Sequence, residues 1–208
     1  MSGPGKIMTE LKAELRKRLL MARSGLSKKY CQQADRAILE KLLAQPVYRR
    51  AKVIFTYVST EAETDTRHLI RLALAAGKTV AVPKCTEKGM MKALKITGFK
   101  DLEKGTRDIL EPKAHCQEIE PQDIDLAVVP CVSCSRQGAR LGYGGGYYDR
   151  YLTLTSAFRA VLCREQLICD TIPTTPFDCW MDLVITEKDG IFTKNGESRS
   201  PQSWKTNR

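Results

Sequence analysis

The beginning of the chain carries the pattern of two consecutive helices. Apolar side chains recur at intervals of three and four over residues 8–23, at Met8, Leu11, Leu15, Leu19 and Ala22. An α-helix turns once in about 3.6 residues, so this spacing predicts an amphipathic helix with one buried stripe. Ser27 is a favourable N-cap for a second helix that extends to about Ala44, where Pro46 stops it.

Short apolar runs alternate with helical segments over the rest of the chain. Strands are predicted at Lys52–Val58, Thr79–Val82 (directly before Pro83), Met91–Ile96, Asp125–Pro130, Ala157–Cys163 and Asp182–Thr186. Helices are predicted from Asp65 or Thr66 to Ala76, ended by Gly77, and from Tyr147 to Thr153; residues 97–124 are predicted to be loop with short elements. The alternation is typical of an α/β fold with a mostly parallel sheet and helices on both faces. We predict a single domain over residues 1–192 and a polar, flexible C-terminal tail over residues 193–208.

The composition is that of an ordinary globular protein. Hydrophobic residues make up 42% of the 208 residues and charged residues 28%. No apolar run approaches the ~20 residues of a membrane-spanning helix. The N-terminus lacks a secretory pattern, and Glu10 and Glu14 stand where transit peptides avoid acids. We expect a cytoplasmic protein that binds no membrane and that is a monomer rather than an oligomer.

The net charge of +10 is concentrated near the N-terminus. Residues 1–52 contain 13 basic and 4 acidic residues, a net charge of +9, whereas the other 156 residues carry only +1. This asymmetry suggests an anionic partner, although a solvated basic helix would give the same count. The first helix contains no aromatic residue and the chain carries no nucleic-acid-binding motif, so we expect no nucleic-acid partner.

Eight cysteines raise the question of disulfide bonds or metal binding. They are Cys31, Cys85, Cys116, Cys131, Cys134, Cys163, Cys169 and Cys179. A disulfide framework is not expected in an intracellular protein. Cys131 and Cys134 form the only C-x-x-C pair, and no second pair completes a four-ligand zinc site. The sequence favours structural cysteines over a redox role.

The segment Arg140–Tyr151 (RLGYGGGYYDRY) carries the strongest chemical signal. Its glycines allow backbone N–H groups to approach phosphate oxygens closely, although the spacing matches neither the P-loop nor the dinucleotide-binding pattern. A mobile glycine hinge without a ligand would explain the glycines, but it would not explain why arginine, tyrosine and aspartate residues flank them. Arg140 offers a planar fork for phosphate, and Asp149 offers a carboxylate for Mg²⁺. We therefore predict a nucleotide or phosphate site.

The run RLGYGGGYYDR resembles the signature of 5-formyltetrahydrofolate cyclo-ligase, also called methenyltetrahydrofolate synthetase. Further matches follow in the right order over most of the chain, at Lys12–Arg16 (KAELR), Phe55–Thr64 (FTYVSTEAET), Glu111–Pro112, Gln166, Pro173 and Asp178. The chain departs from the family pattern at Cys134–Ser135, where an aromatic residue and Asp are usual, and at Asp108, where glycine is common.

The resemblance implies an ATP-dependent ligase that uses Mg²⁺. The family reaction converts ATP and 5-formyltetrahydrofolate into 5,10-methenyltetrahydrofolate, ADP and phosphate. The γ-phosphoryl group is transferred to the formyl oxygen, N10 attacks the activated carbon, and phosphate leaves. Such catalysis is mainly positioning and neutralisation of charge. Because cellular folates carry oligoglutamate tails, a basic surface would attract both substrates.

The resemblance also implies roles for individual residues. Lys12 and Arg16, one helical turn apart, would bind ATP together with Arg140, Leu141, Gly142, Tyr143, Gly144, Gly145, Gly146, Tyr147 and Tyr148. Folate would contact Thr56, Glu61, Tyr143, Gly144, Gly145, Gly146 and Tyr147. Arg140 and Tyr147 are the catalytic candidates, and Asp149 is the first candidate metal ligand, with Asp178 the second. A nucleic-acid-binding module and a family member without turnover remain the alternatives.

Overall fold

The computed structural model describes residues 4–105 and 109–198. Asp108 and residues 199–208 of the predicted tail lie outside the described residues. The helices are α1 Pro4–Ser24, α2 Lys28–Ala44, α3 Pro46–Arg50, α4 Arg67–Ala75, α5 Tyr147–Tyr151 and α6 Lys194–Ser198. The strands are β1 Val53–Thr56, β2 Thr79–Glu87, β3 Met90–Ile96, β4 Leu102–Lys104, β5 Leu110–Pro112, β6 Glu118–Ile119, β7 Leu126–Val129, β8 Ser133–Cys134, β9 Arg140–Leu141, β10 Phe158–Leu162, β11 Leu183–Ile185 and β12 Gly190–Phe192.

Eight strands form one sheet in the order β12-β11-β10-β7-β1-β2-β3-β6. The five strands from β11 to β2 are parallel to one another, and antiparallel pairings flank them on both sides. The hairpins β4–β5 and β8–β9 are separate. The prediction of a mostly parallel α/β sheet is confirmed.

Helices cover both faces of this sheet. Side chains alternate along β1, so Ile54 joins a core cluster that includes Leu42 of α2 and Leu69 of α4. The next residue, Phe55, faces the opposite side and packs on Tyr151 of α5, with ring centroids 5.0 Å apart. A strand whose residues are buried on both faces needs a helical layer on each, which accounts for its apolar sequence.

Local signals set most of the element boundaries correctly. The Ser27 hydroxyl accepts a hydrogen bond from the Tyr30 amide at 3.2 Å and caps α2 as predicted. Gly77 follows α4 with a φ of 74°, a conformation that suits glycine at a helix end. Pro46 occupies the first position of α3, where the missing N–H of proline costs nothing. Residues 97–124, apart from 106–108, hold only short elements, which agrees with the prediction.

The predicted end of β2 was wrong. β2 does not stop before Pro83 but continues to Glu87, pairing with β3. The pairing of β2 with β1 ends at Ala81. The edge of β2 that faced β1 is therefore no longer hydrogen-bonded to it at Pro83, and a proline is tolerated there. The strand β12, which pairs antiparallel with β11, was not predicted.

The predicted buried stripe of α1 was also wrong in part. Leu19 is buried against the β8–β9 hairpin, but Leu11 and Ala22 are exposed, and Arg23 is buried instead. The middle of α1 packs on the β8–β9 hairpin, whereas the last turn of α1 directs the Arg23 guanidinium towards main-chain carbonyls. None of the helices in the described part of the chain is both long and apolar enough to cross a membrane.

Candidate functional site

The candidate site lies at the edge of the sheet where the parallel strands end. β1, β7 and β10 are neighbours with the same direction, so their carboxyl ends share this edge. The glycine-rich segment, residues 142–146, connects β9 to α5 and thus follows the β8–β9 hairpin rather than β7 itself. Ligands of open α/β sheets bind at this edge.

The glycines of this segment have definite structural requirements. Gly144 and Gly146 have positive φ values of 97° and 67°, which residues with a side chain rarely adopt. A methyl group on Gly145 would lie 2.7 Å from the Tyr147 ring. The segment therefore exposes backbone where any other residue would place a side chain.

Arg16 of α1 contacts the glycine-rich segment directly. Its Nε donates to the Gly142 carbonyl at 2.8 Å, and its guanidinium lies beside Gly144. Burial lowers the pKa of Arg16, but an arginine remains charged at neutral pH. In the described part of the chain, no hydrogen bond engages the two Nη groups of Arg16, so four N–H donors face this region unpaired.

Lys12, one turn earlier on α1, contacts Asp178. Its Nζ lies 2.7 Å from Oδ1 and 2.5 Å from Oδ2 of that carboxylate. The Thr175 hydroxyl donates to the same carboxylate at 2.9 Å. Burial acts to raise the pKa of Asp178, but the hydrogen bonds from Lys12 and Thr175 outweigh it and hold the pKa below its ordinary value.

Arg140 and Asp149 form a second cation–carboxylate pair. Arg140 Nη2 lies 2.9 Å from Asp149 Oδ1, and Nη1 donates to the Pro130 carbonyl at 3.1 Å. The Cys179 amide also donates to Asp149 Oδ1, at 3.3 Å, and Cys179 adjoins Asp178 in the chain. Each carboxylate predicted to bind metal is therefore paired with a cation predicted to bind phosphate.

Tyr143 connects the glycine-rich segment to two residues that the sequence did not single out. Its hydroxyl accepts from Arg23 Nη1 at 2.7 Å and donates to Glu63 Oε1 at 2.9 Å. Burial raises the pKa of Tyr143, with the Glu63 charge adding to the effect. Arg23 Nη2 donates to the carbonyls of Cys131 and Val132 at 2.7 and 2.9 Å, which fixes α1 to the exit of β7.

The two residues predicted for folate differ in exposure. Thr56 is fully buried at the end of β1, and its hydroxyl lies 3.4 Å from the Tyr57 carbonyl. Glu61 is exposed in the turn that follows β1, two residues before Glu63. The turn therefore brings an acid to the glycine-rich segment, and the acid that makes the contact is Glu63.

The remaining predicted residues are placed by packing. The Leu141 side chain is buried with Leu19 in the hairpin core, so only its backbone can meet a ligand. The Tyr148 ring packs against Phe55 at a centroid distance of 6.1 Å, and the Arg140 guanidinium carbon lies over the Tyr148 ring at 5.9 Å from its centroid. Tyr147 flanks Gly145.

Helical spacing could have identified one of the missed residues. Arg23 follows Arg16 by seven residues, or about two turns, so it shares a face of α1 with Lys12 and Arg16. These three cations contact the chain's own carboxylate, carbonyl and hydroxyl groups, which accounts for part of the basic N-terminal charge. Glu63 and Arg150 were also missed, although both lie within the quoted family motifs; the Arg150 Nη2 donates to the Gly145 carbonyl at 2.6 Å.

Fold and site together define an α/β protein whose glycine-rich segment and basic first helix line one edge of a parallel sheet. Known proteins are similar to this chain in sequence and in fold. The model of the 5-formyltetrahydrofolate cyclo-ligase family matches residues 8–187. A probable 5-formyltetrahydrofolate cyclo-ligase of Caenorhabditis elegans is 32% identical over 197 residues, which cover 88% of this chain and 96% of that protein.

Solved structures agree with these sequence matches. The structure of Aquifex aeolicus 5,10-methenyltetrahydrofolate synthetase has 27% sequence identity and a TM-score of 0.79, over 88% of this chain and 93% of that one. The synthetase from Mycoplasma pneumoniae, at 23% identity and a TM-score of 0.69 over 85% and 98% of the two chains, shows the same fold. The chain belongs to the 5-formyltetrahydrofolate cyclo-ligase family. This confirms the family resemblance noted in the sequence.

Proposed function

We propose that this protein catalyses the ATP-dependent cyclisation of 5-formyltetrahydrofolate to 5,10-methenyltetrahydrofolate, with release of ADP and phosphate. The observation that carries the proposal is the position of Arg16. Its guanidinium lies against the glycine-rich segment and keeps both Nη groups unpaired within the described residues, while Lys12 stands one turn away. Unpaired guanidinium donors beside exposed backbone suit a phosphate chain.

The proposed reaction asks the protein mainly to hold two anionic substrates and to neutralise charge. The formyl oxygen attacks the γ-phosphorus of ATP, and ADP leaves. N10 then attacks the formyl carbon, phosphate departs with the formyl oxygen, and N10 loses its proton. Lys12, Arg16 and Arg140 would stabilise the negative charge on the phosphoryl oxygens in both steps. Tyr147, beside Gly145, would orient the reacting groups.

ATP would replace interactions that the cations make within the chain. Lys12 is bound to Asp178 and Arg140 to Asp149, so neither cation is wholly free to meet phosphate. A polyphosphate offers several acceptor oxygens of higher charge density than a carboxylate. The two pairs therefore keep the cations oriented until the nucleotide arrives.

Asp149 fits a magnesium ion better than Asp178 does. Within the part of the chain that the structure describes, the hydrogen bonds to the Asp149 carboxylate from Arg140 and Cys179 both use Oδ1, which leaves Oδ2 for a cation. Both oxygens of Asp178 are engaged by Lys12. Mg²⁺ prefers one or two carboxylates together with substrate phosphates. When bound, it would neutralise phosphate charge that the chain's own cations leave uncompensated.

The folate would occupy the side of the segment that faces the turn after β1. Glu61 is the proposed partner for the N–H groups of the pterin edge, because an ionised carboxylate offers two acceptor oxygens. Thr56 and the 143–147 segment would complete this side. The neighbouring contact between Glu63 and Tyr143 fixes the turn relative to the glycine-rich segment.

The test is incubation of the full chain with 5-formyltetrahydrofolate and Mg-ATP, while the absorbance of the methenyl product is followed. We expect product only when both ATP and a divalent ion are present. Equal product formation with EDTA, or with a non-hydrolysable ATP analogue, would contradict the proposal. Substrate binding without product would identify a family member that has lost turnover. Strong, salt-dependent retention on RNA with no folate binding would favour the nucleic-acid alternative.

A further inference from the structure

Three buried cysteines converge outside the proposed catalytic site. One ligand atom from each of Cys131, Cys134 and Cys163 lies within 4.8 Å of the other two. The relative exposures of these residues are 8%, 0% and 2%. Buried cysteine usually packs as a small apolar residue, a role that does not require sulfur atoms to meet.

The fold brings the third cysteine to the C-x-x-C pair through strand register. Val129 of β7 is the parallel partner of Val161 of β10. Cys131 and Cys163 each stand two residues beyond these partners, so they leave the sheet side by side. Cys134 lies three residues after Cys131, in the short strand β8, where it pairs with Arg140 of β9. The three cysteines thus follow two adjacent core strands and stand in a paired hairpin, so the backbone holds each of them in place.

The sulfur positions suit a single metal ion. Zinc–thiolate bonds of about 2.3 Å place two sulfur atoms of one site roughly 3.8 Å apart. The three sulfur atoms lie within 4.8 Å of one another, so no pair would have to approach by more than about 1 Å to reach that separation. Three thiolates are the ligands that soft, thiophilic ions select.

We propose that Cys131, Cys134 and Cys163 form a binding site for one thiophilic metal ion, Zn²⁺ or Cu⁺. Each thiol gives its proton to solvent as its sulfur binds the ion, so three S–H bonds are replaced by three metal–sulfur bonds and three protons are released. A cavity of about 10 Å³, lined in part by Cys131 and Cys163, is at the lower limit of the space that one water molecule needs. That water would be the fourth ligand of Zn²⁺, whereas Cu⁺ would need only the sulfurs.

Nearby arginines compensate the excess negative charge of three thiolates around one such ion. Arg23 donates to the carbonyl of Cys131 itself, and Arg140 donates to the carbonyl of Pro130. A buried charge is tolerated where an opposite charge is held close to it. The same contacts connect the metal site to α1 and to the glycine-rich segment, so the ion would hold the base of the substrate site in place.

The test measures metal binding by the full chain, reduced with a phosphine and freed of metal with a chelator. Zn²⁺ is titrated against a chromogenic chelator, and Cu⁺ is titrated without oxygen against a Cu⁺-selective chelator. We expect one equivalent of at least one of these ions to bind. Cys163→Ser should weaken that binding by more than about tenfold. Cys85→Ser is the matched control, because Cys85 is an exposed free thiol, and it should bind like the unaltered chain.

Two results would overturn the proposal. One is the failure of the unaltered, reduced chain to bind either ion; the other is equal affinity in Cys163→Ser, which would place the ion elsewhere. If Cys163→Ser does not fold, charge-transfer absorption of the unaltered chain decides the matter, with Co²⁺ in place of Zn²⁺ and with Cu⁺ itself. A thiolate-to-metal band with either ion supports the site, and the absence of both bands removes it. None of these readouts depends on ligase activity, so their failure is separate from a failure of the proposed function.

Discussion

Asp35 and Arg164, 129 residues apart in the chain, form a bidentate ion pair next to the turn that carries Glu61. Arg164 Nε and Nη2 lie 2.8 and 2.9 Å from the two oxygens of Asp35. The Arg164 side chain is only 3% exposed. The same guanidinium donates to the carbonyls of Ala62 and Glu63, at 3.0 and 2.7 Å. One buried cation therefore joins α2 to the exit of β10 and to the turn that holds the acidic residues.

Asp35→Ala should be strongly destabilising, because it leaves the buried charge of Arg164 without its partner. We expect the free energy of unfolding to fall by about 3–5 kcal/mol, measured by urea denaturation at pH 7. Glu40→Ala is the control: it breaks the exposed Arg36–Glu40 pair and should cost less than about 0.5 kcal/mol. Similar losses in the two variants would show that Arg164 finds other compensation.

Asp178→Asn should change the dependence of stability on pH. The folded-state pKa of Asp178 lies below the ordinary value, so its ionisation stabilises the fold above about pH 4 and this contribution is lost as the pH falls through the lower folded pKa. We expect a loss of about 1–2 kcal/mol at pH 7. The difference from the unaltered chain should shrink towards pH 3. Asp123→Asn, at an exposed position, is the control and should cost less than about 0.5 kcal/mol at pH 7. A deficit of Asp178→Asn that is equal at both pH values would contradict the prediction.

Arg16→Ala should weaken the interaction with ATP. Hydrogen bonds to charged groups contribute about 1.5–3 kcal/mol, so the KM for ATP should rise by roughly 10- to 150-fold. The KM for folate should move less, because Arg16 contacts the segment from the side of α1. Lys17→Ala removes an exposed charge from the same helix and should leave both values unchanged. Unaltered ATP kinetics in Arg16→Ala would make α1 a structural helix only.

Gly145→Val should impair ATP binding more than folding. The added side chain would meet the Tyr147 ring at 2.7 Å and cover backbone at the surface. We expect a loss of ATP affinity in calorimetric titration with a small change in thermal midpoint. Gly98→Val is the control, because the space around Gly98 is open and its backbone is extended. A large drop in midpoint with ATP affinity intact would favour a purely structural role for the glycines.

Glu61→Gln should separate folate recognition from nucleotide recognition. The amide would set an N–H group against an N–H group of the pterin, so folate binding should weaken by roughly 2–4 kcal/mol while ATP binding stays the same. Glu63→Gln is the matched comparison: its amide oxygen still accepts from Tyr143, so its effect should be smaller. Separate titrations of folate and ATP measure both. If Glu63→Gln loses more folate affinity than Glu61→Gln does, Glu63 is the residue that contacts the pterin.

Local patterns in the sequence determined the elements and the chemistry of the glycine-rich segment. Ser27 and Gly77 mark helix ends through their own backbone and side-chain preferences, and they are found where predicted. Apolar runs such as that of β7 predict buried strands because each run must be covered on both faces. The family resemblance noted from the sequence rested on such short, ordered matches as well, and the match of the family model over residues 8–187 confirmed it.

Only the tertiary structure decided which distant residues meet. Pro83 continues a strand because β1 ends beside it, and Arg23 is buried because α1 lies on the β8–β9 hairpin. Cys163 joins Cys131 through the register of β7 and β10. Sequence periodicity reports the environment of a residue relative to its near neighbours. Pairings across tens of residues depend on strand order and helix packing, which form only when the whole core is assembled.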